Sequence, residues 1–79
     1  MMNVWLIIQT DQVSQIIGKK FLGLNTDLNS AKQFANDLAP TVFDEYHVVE
    51  IDGIWCIEGR EPGSDQMSYV GLYSLVKEG

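Results

Sequence analysis

The chain has 79 residues, of which 46% are hydrophobic, and it combines a formal net charge of -6 with a single cysteine. This length predicts one domain over residues 1–79, and the lone cysteine excludes both an intrachain disulfide and a metal site built from several thiolates. The acidic balance argues against direct nucleic-acid binding, which needs Lys and Arg for the phosphates.

The first predicted element is a strand over residues 3–9, where Val4-Trp5-Leu6-Ile7-Ile8 is an unbroken apolar run. Alternate side chains of a strand point to opposite faces, so this run predicts a sheet that is apolar on both sides. The run is too short to span a membrane, and no basic signal-peptide residues precede it. We therefore expect a cytoplasmic protein without a membrane partner. A second strand is predicted over residues 19–25.

A helix is predicted over about residues 27–39. Thr26 is the expected N-cap, and Asp27 suits the positive end of the helix dipole. Pro40 is expected to end the helix, because the residue before a proline is pushed out of the α region. The predicted apolar stripe lies at spacings of three and four residues. It consists of Leu28, Ala31, Phe34, Ala35 and Leu38.

Asp52-Gly53 is the strongest turn signal in the chain. An Asp-Gly pair between two apolar runs predicts a two-residue type I′ hairpin, in which both turn residues have positive φ. The resulting register places Ile51 opposite Ile54 and Glu50 opposite Trp55. Both faces of this predicted hairpin are largely apolar, which repeats the feature of the first strand.

The tail, residues 67–76, fits two structures. Tyr69, Leu72, Tyr73 and Val76 lie at helical spacing, whereas Tyr and Val favour strands and Gly71 would weaken a helix. We favour a strand, which predicts an α+β fold. It is a mainly antiparallel sheet of four to five strands with one helix packed on one face, in the order β-β-α-β-β with the tail as a further strand. Since one helix covers only one face, we expect another copy or a partner to cover the other, and we favour a homodimer or a larger assembly.

Residues 4–52 contain a further pattern, made up of Val4-Trp5, Gly23-Leu24 before Thr26, Ala31, Phe34-Ala35 and Val48-Val49-Glu50. In this pattern the chain resembles small bacteriophage-encoded proteins of unknown function with a strand-strand-helix-strand layout. It implies an accessory protein of a phage or mobile element, acting in the host cytoplasm. Some such proteins bind and block host enzymes. The resemblance offers no catalytic residues to transfer.

Charge is concentrated in residues 44–65, which hold seven acidic residues against Arg60 alone, whereas the rest of the chain is balanced. This segment predicts docking on a basic protein surface, with a merely solubilising face as the alternative. The candidate partner-binding residues combine aromatic side chains, which favour interfaces, with acids of this segment. They are Trp55, Tyr69, Tyr73, Glu58, Glu61 and Asp65.

The sole cysteine and the sole histidine lie near each other in the predicted hairpin. His47 would lie opposite Glu58 and diagonal to Cys56, which resembles the arrangement that activates a thiol nucleophile. The competing interpretation, which we favour, is that Cys56 is a small buried residue on the helix-facing side of the sheet. No metal-binding spacing involves Asp44, Glu45, His47 or Glu50.

These observations predict a non-catalytic accessory protein that acts by protein–protein binding, without a cofactor, a metal or catalytic residues. Two alternatives stay open. The first is a structural homo-oligomer with no inhibitory role. The second is a small-ligand binder or a thiol enzyme that uses Cys56.

Overall fold

Five strands form one antiparallel sheet, and a single helix packs on one of its faces. The computed structural model describes residues 2–15 and 19–77. The elements in chain order are β1 (Met2–Thr10), β2 (Lys20–Asn25), α1 (Leu28–Val42), β3 (Glu45–Ile51), β4 (Ile54–Arg60) and β5 (Met67–Lys77). The predicted α+β class is confirmed. The tail is a strand, so the element order is β-β-α-β-β-β.

The last strand of the chain lies at the centre of the sheet, whose strand order is β2-β1-β5-β4-β3. β5 is the longest strand, with 11 residues, and pairs with β1 on one side and β4 on the other. Its middle residues Val70, Gly71 and Leu72 are all buried. The two apolar units of the sequence, β1–β2 and β3–β4, are thus joined through the tail.

The β3–β4 hairpin has the predicted register throughout, from Ile51 opposite Ile54 to His47 opposite Glu58. Asp52 and Gly53 have φ angles of 53° and 77°, which confirms the type I′ turn. The register places Glu50, Val48 and Tyr46 on the helix side of the sheet. His47, Val49 and Ile51 therefore point to the opposite side, which we call the helix-free face.

Asp27, and not the predicted Thr26, is the N-cap of the helix. Its carboxylate accepts hydrogen bonds from the Ser30 backbone N–H at 2.8 Å and from the Ser30 hydroxyl at 2.9 Å. These hydrogen bonds hold the pKa of Asp27 below its ordinary value. The cap therefore lies one residue later than expected, and the helix begins at Leu28.

The predicted helix end at Pro40 is also wrong, because Pro40 lies inside α1 and the helix continues to Val42. Proline has no backbone N–H, so the carbonyl of Asn36 loses its helical hydrogen bond. Asn36 is exposed, and water can bind this carbonyl instead. Ala39 and Phe43 are both buried, and the Phe43 N–H donates to the Ala39 carbonyl at 2.9 Å. Packing on both sides of Pro40 thus outweighs its local preference.

The core lies between the sheet and a stripe of alanines on the helix. Ala31, Ala35 and Ala39 are fully buried and pack against strand residues that include Ile7 and Ile57. Small side chains bring the helix close to the sheet. Phe34, predicted in this stripe, is instead 42% exposed and lies over Gly23 on β2, where an added Cβ would be 3.3 Å from its ring.

The helix covers four of the five strands. It packs on β1, β2, β4 and β5 but barely reaches β3, the edge strand of the hairpin. Val48 and Tyr46 on the helix side of β3 are consequently 50% and 44% exposed, whereas Ile57, the partner of Val48 on β4, is fully buried. The boundary of helix coverage thus lies between β4 and β3.

Candidate interaction site

The helix-free face is divided along the direction of its strands. The half nearest the β3–β4 turn is apolar, and the half nearest the β4–β5 connection is polar. The apolar half contains Val4, Leu6, Ile8, Phe21, Leu24, Val49, Ile51, Ile54, Cys56, Tyr73 and Leu75. The polar half contains Glu45, His47, Glu58, Arg60 and Tyr69, together with Thr10 and Met67. This division follows from the observed pairing registers.

Part of the apolar half is covered by the chain itself, which we did not expect. Residues 11–15 follow β1 and lie against this face, where the Tyr73 hydroxyl donates to the Val13 carbonyl at 3.0 Å. The Val13 side chain is buried, and the Tyr73 ring lies over Gly71. Ile8 and Cys56, in the same row as Gly71, are therefore buried although the helix is on the other side.

The rest of the apolar half has no such cover. Leu24 is 57% exposed, Leu75 is 52% exposed, and Phe21, which pairs with Ile8, is 59% exposed. Contiguous exposed apolar surface of this kind is typical of sites that bind another protein. The expectation that helix α1 leaves apolar surface uncovered is confirmed for these residues.

A carboxylate, Glu58, lies at the centre of the polar half. Its Oε1 atom is 3.1 Å from Nε2 of His47, and the Tyr69 ring lies on the other side. Burial raises the pKa of Tyr69 above its ordinary value, with further contributions from the negative charge of Glu58 and a hydrogen bond to it. The three side chains thus form one polar cluster.

This cluster borders a shallow, open pocket of about 160 Å³ at the edge of the hairpin. The pocket is lined by Glu45, Tyr46, His47, Glu58, Arg60 and Met67. Arg60 lies in it as the only basic residue of the acidic segment, with its guanidinium 3.8 Å from the Glu45 carboxylate. This exposed ion pair contributes little to stability, since both partners are largely in water.

Cys56 is buried on the helix-free face, so the prediction that it faces the helix is wrong, although its burial is as expected. Burial raises the pKa of its thiol to about 11, with a smaller contribution from the negative charge of Glu58. At neutral pH the group is therefore a protonated thiol, which is a poor nucleophile. Its position next to Val49 and Gly71 suits a small core residue.

The structure brings together some of the predicted partner-binding residues and separates others. Glu58, Tyr69 and Tyr73 share the helix-free face. Trp55 lies on the helix side, half-buried, with the Lys32 ammonium 5.7 Å from its ring centroid. Its ring is thus already partnered by a cation.

Glu61 and Asp65 lie in the connection between β4 and β5, next to the polar half. Glu61 is fixed by a hydrogen bond of 2.8 Å from the Gln9 amide to its carboxylate, and Asp65 is exposed. The Ser64 backbone N–H donates to the Glu61 carbonyl at 3.1 Å, which closes the turn. The acids of this loop therefore lie at the same end of the molecule as Asp44, Glu45 and Glu58, opposite the β3–β4 turn.

Seven exposed large apolar residues were missing from the predicted site: Phe21, Leu24, Phe34, Met67, Leu75, Tyr46 and Val48. A signal for the last two was present, because β3 is apolar at alternate positions and the predicted helix was too short to reach every strand. Leu24 and Leu75 could be placed on one surface only with the strand order in hand.

No family model matches this chain, and comparison with curated proteins and with solved structures gave no match either. Within residues 2–15 and 19–77, no helix is long and apolar enough to cross a membrane. The same part of the chain contains no group of three or more His, Cys, Asp or Glu side chains arranged to hold a metal ion.

We expect Cys56→Ala to lower the free energy of unfolding at neutral pH by about 1–2 kcal/mol, because it leaves a small cavity. Since the folded thiol has a pKa of about 11, above its ordinary 9.0, its contribution to stability is complete below pH 9 and is lost as pH rises toward 11. The stability difference between wild type and Cys56→Ala should therefore shrink over this range in chemical denaturation. A constant difference would contradict the buried, protonated thiol.

Proposed function

We propose that this protein is a non-catalytic accessory protein that works by binding a basic surface of another protein. The acidic end of the molecule is the contact surface. It comprises Asp44, Glu45 and Glu58 at the end of the hairpin opposite its turn, and Glu61 and Asp65 of the following loop. The resemblance to small phage proteins supports a host factor as the partner and the host cytoplasm as the location.

The distribution of charge carries this proposal. Residues 44–65 hold seven acids and one base, and that base, Arg60, is paired with Glu45. Asp44, Glu45, Glu61 and Asp65 are all exposed at the end of the sheet where β4 leaves it. A surface of one sign speeds encounter with an oppositely charged partner and discriminates against partners of like charge.

The nature of the polar cluster supports binding over catalysis. His47 and Glu58 form the pair that a thiol enzyme would need, but the nearby Cys56 thiol is buried and protonated at neutral pH. The exposed groups of the cluster are thus hydrogen-bonding and charged side chains that a partner protein can contact.

The test is affinity capture from a bacterial lysate, with a variant that removes three charges. Glu58→Gln, Glu61→Gln and Asp65→Asn together should abolish or strongly reduce capture of a partner that the wild type retains at low ionic strength. The fold should persist, since surface substitutions usually change stability within about 0.5 kcal/mol. The amides that replace the carboxylates can still accept hydrogen bonds from His47, Tyr69 and Gln9.

The matched control makes the same change of +3 in net charge on the helix, outside residues 44–65: Asp27→Asn, Asn36→Lys and Asp37→Asn. All three residues are exposed, and asparagine caps a helix about as well as aspartate does. This control has the same net charge as the test variant and should still capture the partner. Equal loss in both variants would show that net charge alone matters, which contradicts a defined contact surface.

The uncovered part of the apolar half of the helix-free face favours a second candidate function, a homodimer. A two-fold axis through this half would bury Leu24 and Leu75 of both copies, while the acidic ends stay at opposite extremes of the dimer. This arrangement is compatible with binding of a basic partner, because the acidic end stays free.

Light scattering coupled to size exclusion tests the homodimer. We expect a mass of about twice 8.9 kDa at micromolar concentration, and a monomer for Leu75→Glu. Val48→Glu is the matched control, since Val48 is equally exposed but lies on the helix side of the sheet. A wild-type mass of 8.9 kDa would exclude this second candidate.

A further inference from the structure

The outer edge of the hairpin has free backbone groups. β3 is at the end of the sheet, and within the described residues it pairs only with β4. In a two-residue hairpin the residues that flank the turn, here Ile51 and Ile54, form a hydrogen-bonded pair. Since such pairs alternate along the ladder, the N–H and C=O groups of Tyr46, Val48 and Glu50 point outward.

This edge lacks two of the devices by which proteins block edge strands, a β-bulge and a proline or lysine, although it carries two glutamates. β3 has no proline, lysine or arginine, and its ladder with β4 runs through seven consecutive pairs without a bulge. The opposite edge, β2, has both devices, because its register shifts where it pairs with Ile7 and Ile8 and because it begins at Lys20. The β3 edge is therefore more open than the β2 edge to pairing with another strand.

The side chains next to the free backbone groups also lack cover. Tyr46 and Val48, 44% and 50% exposed, point to the helix side, where α1 barely reaches. A strand added beside β3 would place alternate side chains next to them and bury both. Main-chain hydrogen bonds would then supply affinity, and contacts with Tyr46 and Val48 would supply specificity, as in other cases of strand addition.

The negative charge around this edge favours a basic incoming strand. Asp44, Glu45, Glu50 and Asp52 flank it, and no Lys or Arg lies between residues 44 and 59. Pairing of β3 with β3 of a second copy would bring these acids together, and like charges opposite each other destabilise a ladder. An incoming segment with lysine or arginine at alternate positions would instead form favourable charge pairs with these acids across the ladder.

We propose that β3 accepts an extended, basic segment of a partner protein as a sixth strand of the sheet. This inference rests on the proposed function, since it specifies how the basic partner is held. Tyr46, Val48 and Glu50 provide the backbone groups, and the flanking acids bind the basic side chains.

The probe is a synthetic peptide of alternating lysine and valine, about as long as the seven-residue β3. Amide hydrogen exchange is followed residue by residue by NMR. Addition of the peptide should slow exchange of the outward amides of Tyr46, Val48 and Glu50. His47 and Val49, whose amides already face β4, are the internal control and should change much less.

Two variants sharpen the test. Val48→Pro removes one outward N–H without removing a bond to β4 and should weaken peptide binding by about tenfold or more, whereas Val48→Thr should bind like wild type. Glu50→Lys reverses one flanking charge and should weaken binding by about threefold to fivefold, even if Val48→Pro fails to fold. The same variant should improve binding of an otherwise identical glutamate–valine peptide.

Protection of the three outward amides by the basic peptide, together with the losses in the variants, would support strand addition. Equal binding of the basic and acidic peptides would overturn it. Peptide binding that shifts Glu58 and Tyr69 signals without protecting the outward amides would also overturn strand addition, while leaving the proposed contact with a basic surface intact. Failure of the proposed function itself would be seen separately, as lysate capture that ignores the acidic residues.

Discussion

Gly59→Ala is expected to lower the free energy of unfolding by about 3 kcal/mol, measured by chemical denaturation. A Cβ at position 59 would lie 2.3 Å from the ring of Phe43, a distance at which one of the two groups must move. Phe43 is only 2% exposed and caps the core at the end of the helix, so its ring has no free space to enter. Overpacking of this kind commonly costs about 1–3 kcal/mol.

Gly23→Ala is the matched control, because it is the same chemical change in a strand on the same side of the sheet. An added Cβ there would be 3.3 Å from the ring of Phe34, which is 42% exposed and can turn aside. We expect a change within about 0.5 kcal/mol. Equal destabilisation by the two substitutions would contradict the packing of Phe43 on Gly59.

Ile57→Ala should have an effect of similar size, about 3 kcal/mol, because Ile57 is fully buried beneath the helix and its loss leaves a cavity. Val48→Ala is the paired control, since Val48 lies directly opposite Ile57 on the same side of the sheet but is half exposed. Its effect should stay below about 1 kcal/mol.

The comparison of Ile57 with Val48 shows where the cover of the sheet by helix α1 ends. A large effect at both positions in urea denaturation would mean that something covers β3 as well as β4. The proposed strand addition requires the opposite, because the edge and its side chains must be free to receive a partner.

Local signals predicted the turn and the register of the hairpin, but not which of its faces meets the helix. Asp52-Gly53 fixes a turn type, the turn type fixes the register, and the register fixes which side chains share a face. This chain of inference needs no information from distant residues. It placed His47 opposite Glu58, which is the basis of the polar cluster.

Local signals failed at the helix ends. Pro40 is a strong stop signal, yet Ala39 and Phe43 on either side of it are fixed by contacts with the sheet. The tertiary contact of Phe43 with Gly59 joins residues far apart in sequence, so no window around Pro40 could predict it.

The arrangement of the helix-free face was predictable only in part. Apolar strands on both sides of the sheet were evident from β1 and β4, but the partial cover by residues 11–15 depends on one long-range hydrogen bond from Tyr73 to Val13. The exposure of Leu24 and Leu75 depends on β5 lying between β1 and β4. Strand order is a global property, and nothing in the composition of a single strand specifies it.

The rate of association with the captured partner, measured by stopped flow from low to high salt, tests the central claim that the acidic end is the binding surface. We predict a rate that falls steeply with salt while dissociation changes less, because charge steers the encounter. The variant with Glu58, Glu61 and Asp65 neutralised should associate more slowly at low salt, whereas the matched control variant should keep most of the wild-type rate. A salt-independent rate, or an unchanged rate for the test variant, would contradict the account and leave the acidic residues as a solubilising surface.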